Sequence, residues 1–278
     1  MAASRASAAE ALAAAIDSFT AAGVETPRLD AEVLLAELAG VDRALLIADR
    51  DLTLDPAVAR AFSEAIRRRI RREPVAYILG SKGFRHIDLM VDRRVLIPRP
   101  ETEMLVELAL EVEPETVLEI GTGSGAIALA VADEIPAARI HATDVSDGAI
   151  EVAVANARNL GLGERVEFNL GSLPPGPAGY DLILANLPYV PATDGLQPEV
   201  GNWEPAGALF GGPDGTDVIA EVLAGLNDAG IEAPVIGLEI GPGQGAKVSE
   251  LVRGAGWPDV EVRPDLAGLE RVVVGSGR

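Results

Sequence analysis

Cysteine is absent from this sequence of 278 residues. Disulfide bonds, thiolate metal sites and cysteine nucleophiles are therefore excluded. No hydrophobic run approaches the roughly 20 residues that a membrane-spanning helix needs. The first residues also lack the cluster of positive charge and the leucine-rich stretch of a signal peptide. From these absences we expect a cytoplasmic protein.

Positive charge and aromatic residues are scarce as well. The 23 Lys and Arg residues are outnumbered by 43 Asp and Glu residues, which gives a net charge of −20. A protein that binds nucleic acid through its phosphates needs a basic surface, so we expect no direct nucleic-acid binding. With 4% aromatic residues but 48% hydrophobic residues, the core must be built mainly from Val, Leu, Ile and Ala. The length fits one large domain or two unequal ones.

The first eighty residues have the apolar spacing and the end signals of helices. Leu29, Val33, Leu34, Leu35 and Leu38 form a helical stripe that ends near a glycine. A further helix has Asp55 as its cap and Pro56 in its first position. The predicted helices cover residues 8–22, 27–38, 42–49 and 55–72. We therefore predict a small helical-bundle domain over residues 1–80.

Five arginines lie close together between Arg67 and Arg72, near the end of the fourth predicted helix. Positive charge at a helix C-terminus is favoured by the helix dipole, so a solvated helix end is the preferred interpretation. A nucleic-acid contact and a surface that docks an acidic partner are the two alternatives.

A period-two pattern follows the helical region. Ile87, Leu89 and Val91 alternate with polar residues, and Asp92-Arg93-Arg94 could turn the chain into a second apolar run. We predict a β-hairpin over residues 84–97, within a linker of residues 81–98.

Beyond Pro100, predicted strands and helices alternate. This order is typical of an α/β fold with a doubly wound parallel sheet. The strand candidates are residues 116–120, 139–144, 166–169, 181–186 and 234–240, with helices at 126–134 and 147–160. Residues 260–262 and 271–274 can add a terminal antiparallel pair.

A glycine-rich segment follows the first strand of this sheet. Gly121, Gly123 and Gly125 alternate with Thr122 and Ser124 after an acidic residue, Glu119. Glycines here permit a tight turn, let a ligand approach the backbone and bring the next helix close to the strand. The spacing fits a dinucleotide-binding loop, but it also fits the loop of S-adenosylmethionine-dependent methyltransferases. A nucleoside ligand is predicted, and its identity stays open at this point.

Asp144 stands at the end of the second strand. A carboxylate in this place accepts hydrogen bonds from both ribose hydroxyls of an adenosine. NAD and S-adenosylmethionine both carry that ribose, so Asp144 does not separate them. Capping of the helix that begins after Ser146 is the structural alternative.

Asn186-Leu187-Pro188-Tyr189 follows the fourth strand, at the same sheet edge as the glycine loop. The segment resembles the Asn-Pro-Pro-Tyr signature of methyltransferases that modify a nitrogen conjugated to a carbonyl or a ring. The Asn186 side-chain oxygen and the carbonyl of Leu187 could hold both N–H groups of such a nitrogen. Tyr189 would offer a flat face to a planar amide or base. A dehydrogenase has no use for this segment.

Taken together, the motifs resemble the peptide chain release factor glutamine methyltransferases, the PrmC/HemK family. The most specific is the string Ile97-Pro98-Arg99-Pro100-Glu101-Thr102-Glu103. Further matching segments are residues 73–80, 119–125, 202–205, 211–215, 238–241 and 264–268. The resemblance implies a Rossmann-like class I methyltransferase domain over residues 99–278, after the helical domain and the hairpin linker.

The family transfers a methyl group from S-adenosyl-L-methionine to the glutamine amide nitrogen of the Gly-Gly-Gln motif in class 1 release factors. By resemblance, Leu173 would lie along the adenine and Asn186 to Tyr189 would hold the glutamine. The cofactor would be bound by Gly121, Thr122, Gly123, Ser124, Gly125, Asp144, Leu173 and Asn186. The helical domain would recognise the protein substrate, and no metal is implied.

Two residues depart from the family pattern. Ser172 stands where the family usually has Asp, and Leu187 replaces the first proline of the signature. Asn-Leu-Pro-Tyr occurs in rRNA adenine dimethyltransferases, which act on the exocyclic amine of a flipped base, so that activity is the first alternative. A cofactor-binding scaffold without catalysis is the second. We interpret the glycine-rich residues 239–245 as a structural turn.

Overall fold

The computed structural model describes residues 7–49, 52–176 and 178–278. The chain forms two compact units. One contains residues 1–80 together with 197–203, and the other contains residues 81–196 and 204–278. The short segment 197–203 thus groups with the helices, although it lies inside the domain predicted over residues 99–278. Residues 1–6, 50, 51 and 177 of the predicted domains lie outside the described residues.

The helical unit begins at a capping box. The Ser7 hydroxyl accepts from the Glu10 backbone N–H, and the Glu10 carboxylate accepts from the Ser7 N–H. Asp42 and Asp55 cap two later helices through their side chains. The helices bury Phe19 and Phe62 in a common core with several leucines and alanines. They are α1 (Ala8–Ala21), α2 (Pro27–Ala39), α3 (Arg43–Ala48), α4 (Pro56–Ile70), α5 (Val75–Leu79) and α9 (Pro198–Gly201).

The arginines at the end of α4 are engaged inside this unit. Arg69 is 4% exposed and donates to Asp30 at 2.7 Å and to Glu199 at 2.8 Å. Arg72 also donates to Glu199, and Arg68 donates to Glu73. The prediction of a solvated helix end is therefore wrong for Arg69, whereas Arg68 and Arg72 stay partly exposed. The carboxylate partners offset the positive charge of all three within the unit.

The predicted hairpin exists, but its strands and turn lie earlier than expected. Strands β1 (Ser81–Phe84) and β2 (Ile87–Met90) pair antiparallel around a turn at Arg85, whose φ is +52°. Residues 95–97 form no strand. Instead, the Ile97 N–H donates to the Glu204 carboxylate at 3.1 Å. The alternating pattern of Ile87 and Leu89 reflects burial in the core of the second unit.

The second unit contains a sheet of seven strands in the order β10-β11-β9-β7-β3-β4-β5. The strands from β9 to β5 run parallel, and β11 is antiparallel to both β9 and β10. The predicted α/β fold and its terminal antiparallel pair are confirmed. The strands are β3 (Thr116–Ile120), β4 (Arg139–Asp144), β5 (Val166–Leu170), β7 (Leu182–Ala185), β9 (Val235–Glu239), β10 (Asp259–Pro264) and β11 (Glu270–Ser276). Two short strands, β6 (Ala178–Gly179) and β8 (Ile231–Glu232), pair separately.

Helices cover this sheet. The apolar cores on either side are rich in Leu, Val, Ile and Ala, with Trp257 fully buried in one of them. The helices are α6 (Glu103–Val112), α7 (Ala126–Glu134), α8 (Asp147–Asn159), α10 (Asp217–Ala229) and α11 (Gly245–Gly254), with 3₁₀ turns at Pro100–Thr102 and Ala206–Ala208. Within the described part of the chain, no helix is long and apolar enough to cross a membrane.

Candidate active site

A cavity of about 580 Å³ opens at the carboxyl ends of β3, β4 and β7. Ligands bind at this edge in open α/β sheets, and the volume is in the usual range for a small-molecule site. The cavity is lined by residues 94–96, 98, 102, 119–124, 126, 127, 144–146, 149, 171–173, 186–188, 205, 207, 208, 218, 221, 222 and 225. All of them belong to the second unit.

The glycine loop wraps one wall of this cavity. Gly121, Gly123 and Gly125 have φ values of +77°, +56° and +84°, a region that other residues rarely adopt. A Cβ on Gly125 would lie 2.9 Å from the Leu129 side chain, so this glycine brings α7 close to the loop. Gly121 to Ser124 line the cavity, whereas Gly125 does not. Gly125 therefore determines how closely α7 packs against the loop and does not itself contact the cavity.

Glu119 lies beneath the loop and is 1% exposed. Its Oε2 accepts from the Thr122 hydroxyl at 2.6 Å and from the Ala128 N–H at 3.2 Å. Its Oε1 has no hydrogen-bond partner among the described residues. Burial raises the pKa of this carboxyl to about 7, despite the two hydrogen bonds that lower it. A buried acceptor without a partner, beside the cavity, fits a ligand that brings a donor.

Asp144 joins the loop to the next helix. Its Oδ2 accepts from the Gly123 N–H and its Oδ1 from the Ser146 N–H, both at 2.9 Å. The cap of α8 is Ser146 rather than Asp144, because the Ser146 hydroxyl accepts from the Ala149 N–H. An ionised carboxylate can accept about four hydrogen bonds, so Asp144 can still receive two ribose hydroxyls.

The opposite wall is more apolar. Leu173 lines the cavity, as does the exposed side chain of Val145. Helix α10 adds Val218, Val222 and Gly225, and a Cβ on Gly225 would lie 3.1 Å from Leu173. An aromatic ring such as adenine would find apolar contacts here. No sequence motif marks the residues of α10, since only the packing of the helix brings them to the cavity.

Asn186, Leu187 and Pro188 face the same cavity from the end of β7. The Asn186 Nδ2 donates to the Thr102 hydroxyl at 3.1 Å. No described group donates to the Asn186 Oδ1, which leaves the side-chain oxygen free to accept from a ligand. The Leu187 side chain is 5% exposed and packs in the core that covers the sheet. The side chain also packs beside the glycine loop, since a Cβ on Gly121 would lie 3.4 Å from the Leu187 Cδ2.

The Tyr189 hydroxyl is bound by another side chain of the protein. Tyr189 does not line the cavity, and its hydroxyl donates to the Glu239 Oε1 at 3.2 Å. Its carbonyl accepts from the Gln244 side chain at 2.9 Å. Burial and the neighbouring Glu239 raise the pKa of Tyr189. Residues 239–245 thus hold the Asn186 segment from outside the cavity, in agreement with their interpretation as a structural turn.

Other segments that carry the family resemblance contact the residues of the site. The Glu204 carboxylate accepts from the Ile97 N–H and from Arg99, which joins residues 202–205 to the string that begins at Ile97. A Cβ on Gly211 would lie 2.3 Å from the Pro188 carbonyl, and one on Gly215 would lie 2.1 Å from the Tyr189 carbonyl. These glycines allow the backbone to pack directly against the Asn186 segment.

Two polar residues of this region were missed as site residues. Glu119 was visible as the acid before the glycine loop, and Thr102 was visible within the Ile97–Glu103 string. Both are buried and both line the cavity. The sequence placed them in motifs but could not reveal that their side chains meet the ligand loop and Asn186.

Comparison with protein families gives two matches. Residues 10–80 match the PrmC N-terminal domain, and residues 117–197 match a methyltransferase domain. The second match contains the glycine loop, Asp144 and the Asn186 segment.

Curated relatives match almost the whole chain. A release factor glutamine methyltransferase of Moorella thermoacetica is 43% identical, with 94% of this chain and 95% of the relative aligned. Enzymes of the same name from Rhodospirillum rubrum and Caulobacter vibrioides are 41% and 40% identical. The alignments cover 92% and 94% of this chain, and 81% and 93% of those relatives.

Solved structures resemble the fold at low sequence identity. The catalytic domain of hMettl16 in complex with a MAT2A 3′UTR hairpin has a TM-score of 0.54 at 15% identity, over 68% of this chain and 75% of that one. At this identity the likeness concerns the fold alone, and it supports a Rossmann-like methyltransferase architecture.

Proposed function

Because this chain belongs to the release factor glutamine methyltransferase family, we propose that it methylates the glutamine side-chain amide in the Gly-Gly-Gln motif of class 1 release factors. The methyl donor would be S-adenosyl-L-methionine. The observation that carries the proposal is the Asn186 side-chain oxygen, which accepts no hydrogen bond from the described residues and faces a cavity shared with the glycine loop. Translation termination takes place in the cytoplasm, so we place the enzyme there.

The residues around the cavity fit S-adenosyl-L-methionine as the methyl donor. Gly121 to Ser124 offer close backbone approach, Asp144 offers acceptors for ribose, and Leu173 offers an apolar wall. The unpartnered Glu119 Oε1 can accept from a donor group of the ligand. When bound, S-adenosyl-L-methionine supplies an electrophilic methyl group on a sulfonium.

The amide nitrogen of glutamine is a poor nucleophile, because its lone pair is delocalised into the carbonyl. The Asn186 Oδ1 and the Leu187 carbonyl would accept its two N–H groups and thereby aim the lone pair. The same acceptors would stabilise positive charge as it grows on the nitrogen. No general base needs to act before the transition state, since the proton leaves afterwards.

The replacement of proline by Leu187 is compatible with this chemistry. Its side chain is buried in the core, and every residue type has the backbone carbonyl that the proposal requires. The residue therefore fills space behind the site and does not by itself select adenine over glutamine.

The proposal is tested by incubating the protein with labelled S-adenosyl-L-methionine and either a class 1 release factor or ribosomal RNA. We expect mass spectrometry to find one methyl group on the glutamine of the Gly-Gly-Gln peptide. An unmodified glutamine together with dimethylated adenine would instead identify an rRNA methyltransferase. An absence of transfer to either substrate, with cofactor bound, would identify a scaffold.

We further propose that the helical unit recognises the release factor. It presents exposed apolar side chains at Leu29, Leu45, Ile47 and Ile70. Exposed apolar side chains that lie together are common at protein–protein contacts, whereas isolated ones occur on any protein surface. Four of the five arginines between Arg67 and Arg72 donate to carboxylates within the helical unit itself. The exposed apolar side chains, rather than these arginines, support the proposal.

A further inference from the structure

The carboxamide of Asn186 has two ends of opposite character. Its oxygen accepts hydrogen bonds and its nitrogen donates them. The proposed reaction requires the oxygen to face the glutamine N–H groups, since a donor in that position would oppose an N–H and repel the growing positive charge. The two ends have nearly the same shape, so packing alone cannot select between them. A hydrogen bond from another protein side chain must do so.

That bond comes from the Ile97–Glu103 string. The Asn186 Nδ2 donates to the Thr102 hydroxyl oxygen at 3.1 Å, and Thr102 is 4% exposed. Burial raises the pKa of the neighbouring Glu239 carboxyl to about 7, and the Thr102 hydroxyl lowers it. Glu239 is 1% exposed and accepts from the Tyr189 hydroxyl as well. Asn186, Thr102, Glu239 and Tyr189 therefore form one polar network, in which Thr102 and Glu239 are buried and Asn186 and Tyr189 are half-buried.

We propose that Thr102 and Glu239 are positioning residues that hold the Asn186 carboxamide with its oxygen toward the substrate amide. The ionised form of Glu239 can only accept, so beside it the Thr102 hydroxyl turns its hydrogen toward the carboxylate. The Thr102 oxygen then has only lone pairs left to offer. Its second partner must be a donor, which is the Asn186 Nδ2. Each hydrogen bond thus sets the direction of the next: Glu239 orients the Thr102 hydroxyl, and the Thr102 hydroxyl orients the Asn186 carboxamide.

The network accounts for a buried acid that the proposed chemistry does not otherwise use. Burial of a carboxyl without a cation in hydrogen-bond contact is costly, and the Glu239 Oε2 has no partner among the described residues. An apolar residue here would pack without that cost. A polar network that fixes one orientation of a catalytic group gives the acid a function at the end of β9. Tyr189, which does not line the cavity, contributes as a donor to that acid.

This inference rests on the proposed function and deepens it. The test compares Thr102→Val, Thr102→Ser and the matched control Thr116→Val by steady-state methylation of a release factor. Thr116 also donates its hydroxyl to a carboxylate, that of Asp181 at 3.0 Å, but it lies at the opposite end of β3. Cofactor affinity is measured separately by calorimetry, and folding by thermal unfolding.

We expect Thr102→Val to lower kcat by roughly 10- to 100-fold, the scale of losing one oriented acceptor. Cofactor affinity and KM for the release factor should change less than about threefold, since only the transition state gains from the orientation. Thr102→Ser retains a hydroxyl and should recover kcat to within about threefold of the wild type. Thr116→Val should leave kcat unchanged.

A second variant tests the network as a unit. Glu239→Gln keeps the shape of the acid but can donate to Thr102, which releases the fixed direction. We expect Glu239→Gln and Thr102→Val together to lower kcat no further than the more harmful single substitution, because both break one network. Independent losses that multiply would contradict the inference.

The outcomes separate this inference from the proposed function. If the wild-type protein leaves the glutamine unmodified, the proposed function fails and the inference fails with it. If the wild-type protein methylates glutamine but a folded Thr102→Val is as active as Thr116→Val, only the inference fails. A loss of kcat in Thr102→Val that Thr102→Ser does not recover would also overturn it.

Discussion

At the scale of single residues, Asp144 connects ligand binding to the shape of the loop. Its carboxylate holds the N–H groups of Gly123 and Ser146 and keeps further acceptor positions toward the cavity. We expect Asp144→Ala to weaken S-adenosyl-L-methionine binding by roughly 1.5–3 kcal/mol, the range for lost hydrogen bonds to a charged acceptor. Calorimetry measures this, with the exposed Asp147→Ala in the first turn of α8 as control. Tight binding of NAD without binding of S-adenosyl-L-methionine would contradict the cofactor assignment.

Asn186 and Leu187 should respond differently to substitution. Asn186→Ala removes the free side-chain oxygen, so we expect turnover to fall on the order of 100-fold or more with a smaller change in cofactor affinity. Leu187→Pro keeps the backbone carbonyl, and the Leu187 N–H donates to no described group. Its turnover should therefore stay within about tenfold of the wild type, or ~1.4 kcal/mol in the barrier.

Because Leu187 is buried, the proline variant should also lose stability, by about 1–3 kcal/mol, through lost packing. Turnover is therefore expressed per folded protein, with the folded fraction taken from circular dichroism. Loss of glutamine methylation in a folded Leu187→Pro protein would show that the leucine side chain takes part in substrate selection.

At the scale of helices and strands, ion pairs decide how one short helix is held. Glu199 on α9 accepts from Arg69 and Arg72 of the helical unit. Burial would raise the pKa of Glu199, but the hydrogen bonds from Arg72 and Arg69 outweigh it and lower the pKa to about 2. Since the ordinary value is 4.5, this carboxylate stabilises the fold at pH values above 4.5. The contribution is lost as the pH falls from there toward 2.

We therefore expect Glu199→Gln to lower the free energy of unfolding by about 2–4 kcal/mol at pH 7, because it leaves Arg69 buried without its second carboxylate. The deficit should shrink as the pH falls from 4.5 toward 2, because the unfolded wild-type chain takes up a proton at Glu199 before the folded protein does. Denaturant unfolding followed by circular dichroism measures both values. Glu37→Gln on the exposed side of α2 is the control and should change little. A deficit that is the same at pH 3 and pH 7 would argue against the ion pair as its cause.

At the scale of the whole molecule, the two units should contribute to different kinetic constants. We expect Leu45→Glu with Ile47→Glu, at side chains that are 45% and 56% exposed on α3, to raise KM for an intact release factor by about tenfold or more. A short peptide containing Gly-Gly-Gln should be methylated as before, because the cavity lies wholly in the second unit.

Ser63→Glu on α4 adds the same kind of charge at an exposed position and is the control. Circular dichroism would verify that each variant folds. If the α3 variant kept the wild-type KM for the intact protein, the release factor would have to be recognised elsewhere.

The sequence by itself determined the elements with strong local signals. Helix α7, with the glycine at its start, and strands β3 and β4 occur at the predicted residues. The same is true of the cap at Asp55, because capping and apolar periodicity act within a few residues. It also determined which segments end at one edge of the sheet, since parallel strands place their carboxyl ends together. The glycine loop, Asp144 and Asn186 were found in this way.

Only the tertiary structure decided what distant groups do to one another. Arg69 of α4 is buried because Asp30 and Glu199 meet it, and residues 95–97 form no strand because Glu204 takes the Ile97 N–H. Likewise, the Tyr189 hydroxyl donates to Glu239, a residue on another strand of the sheet. Each outcome depends on a hydrogen bond or an ion pair between residues far apart in the chain. A local pattern names the residue type but not its partner, and for a buried polar group the partner decides the free energy.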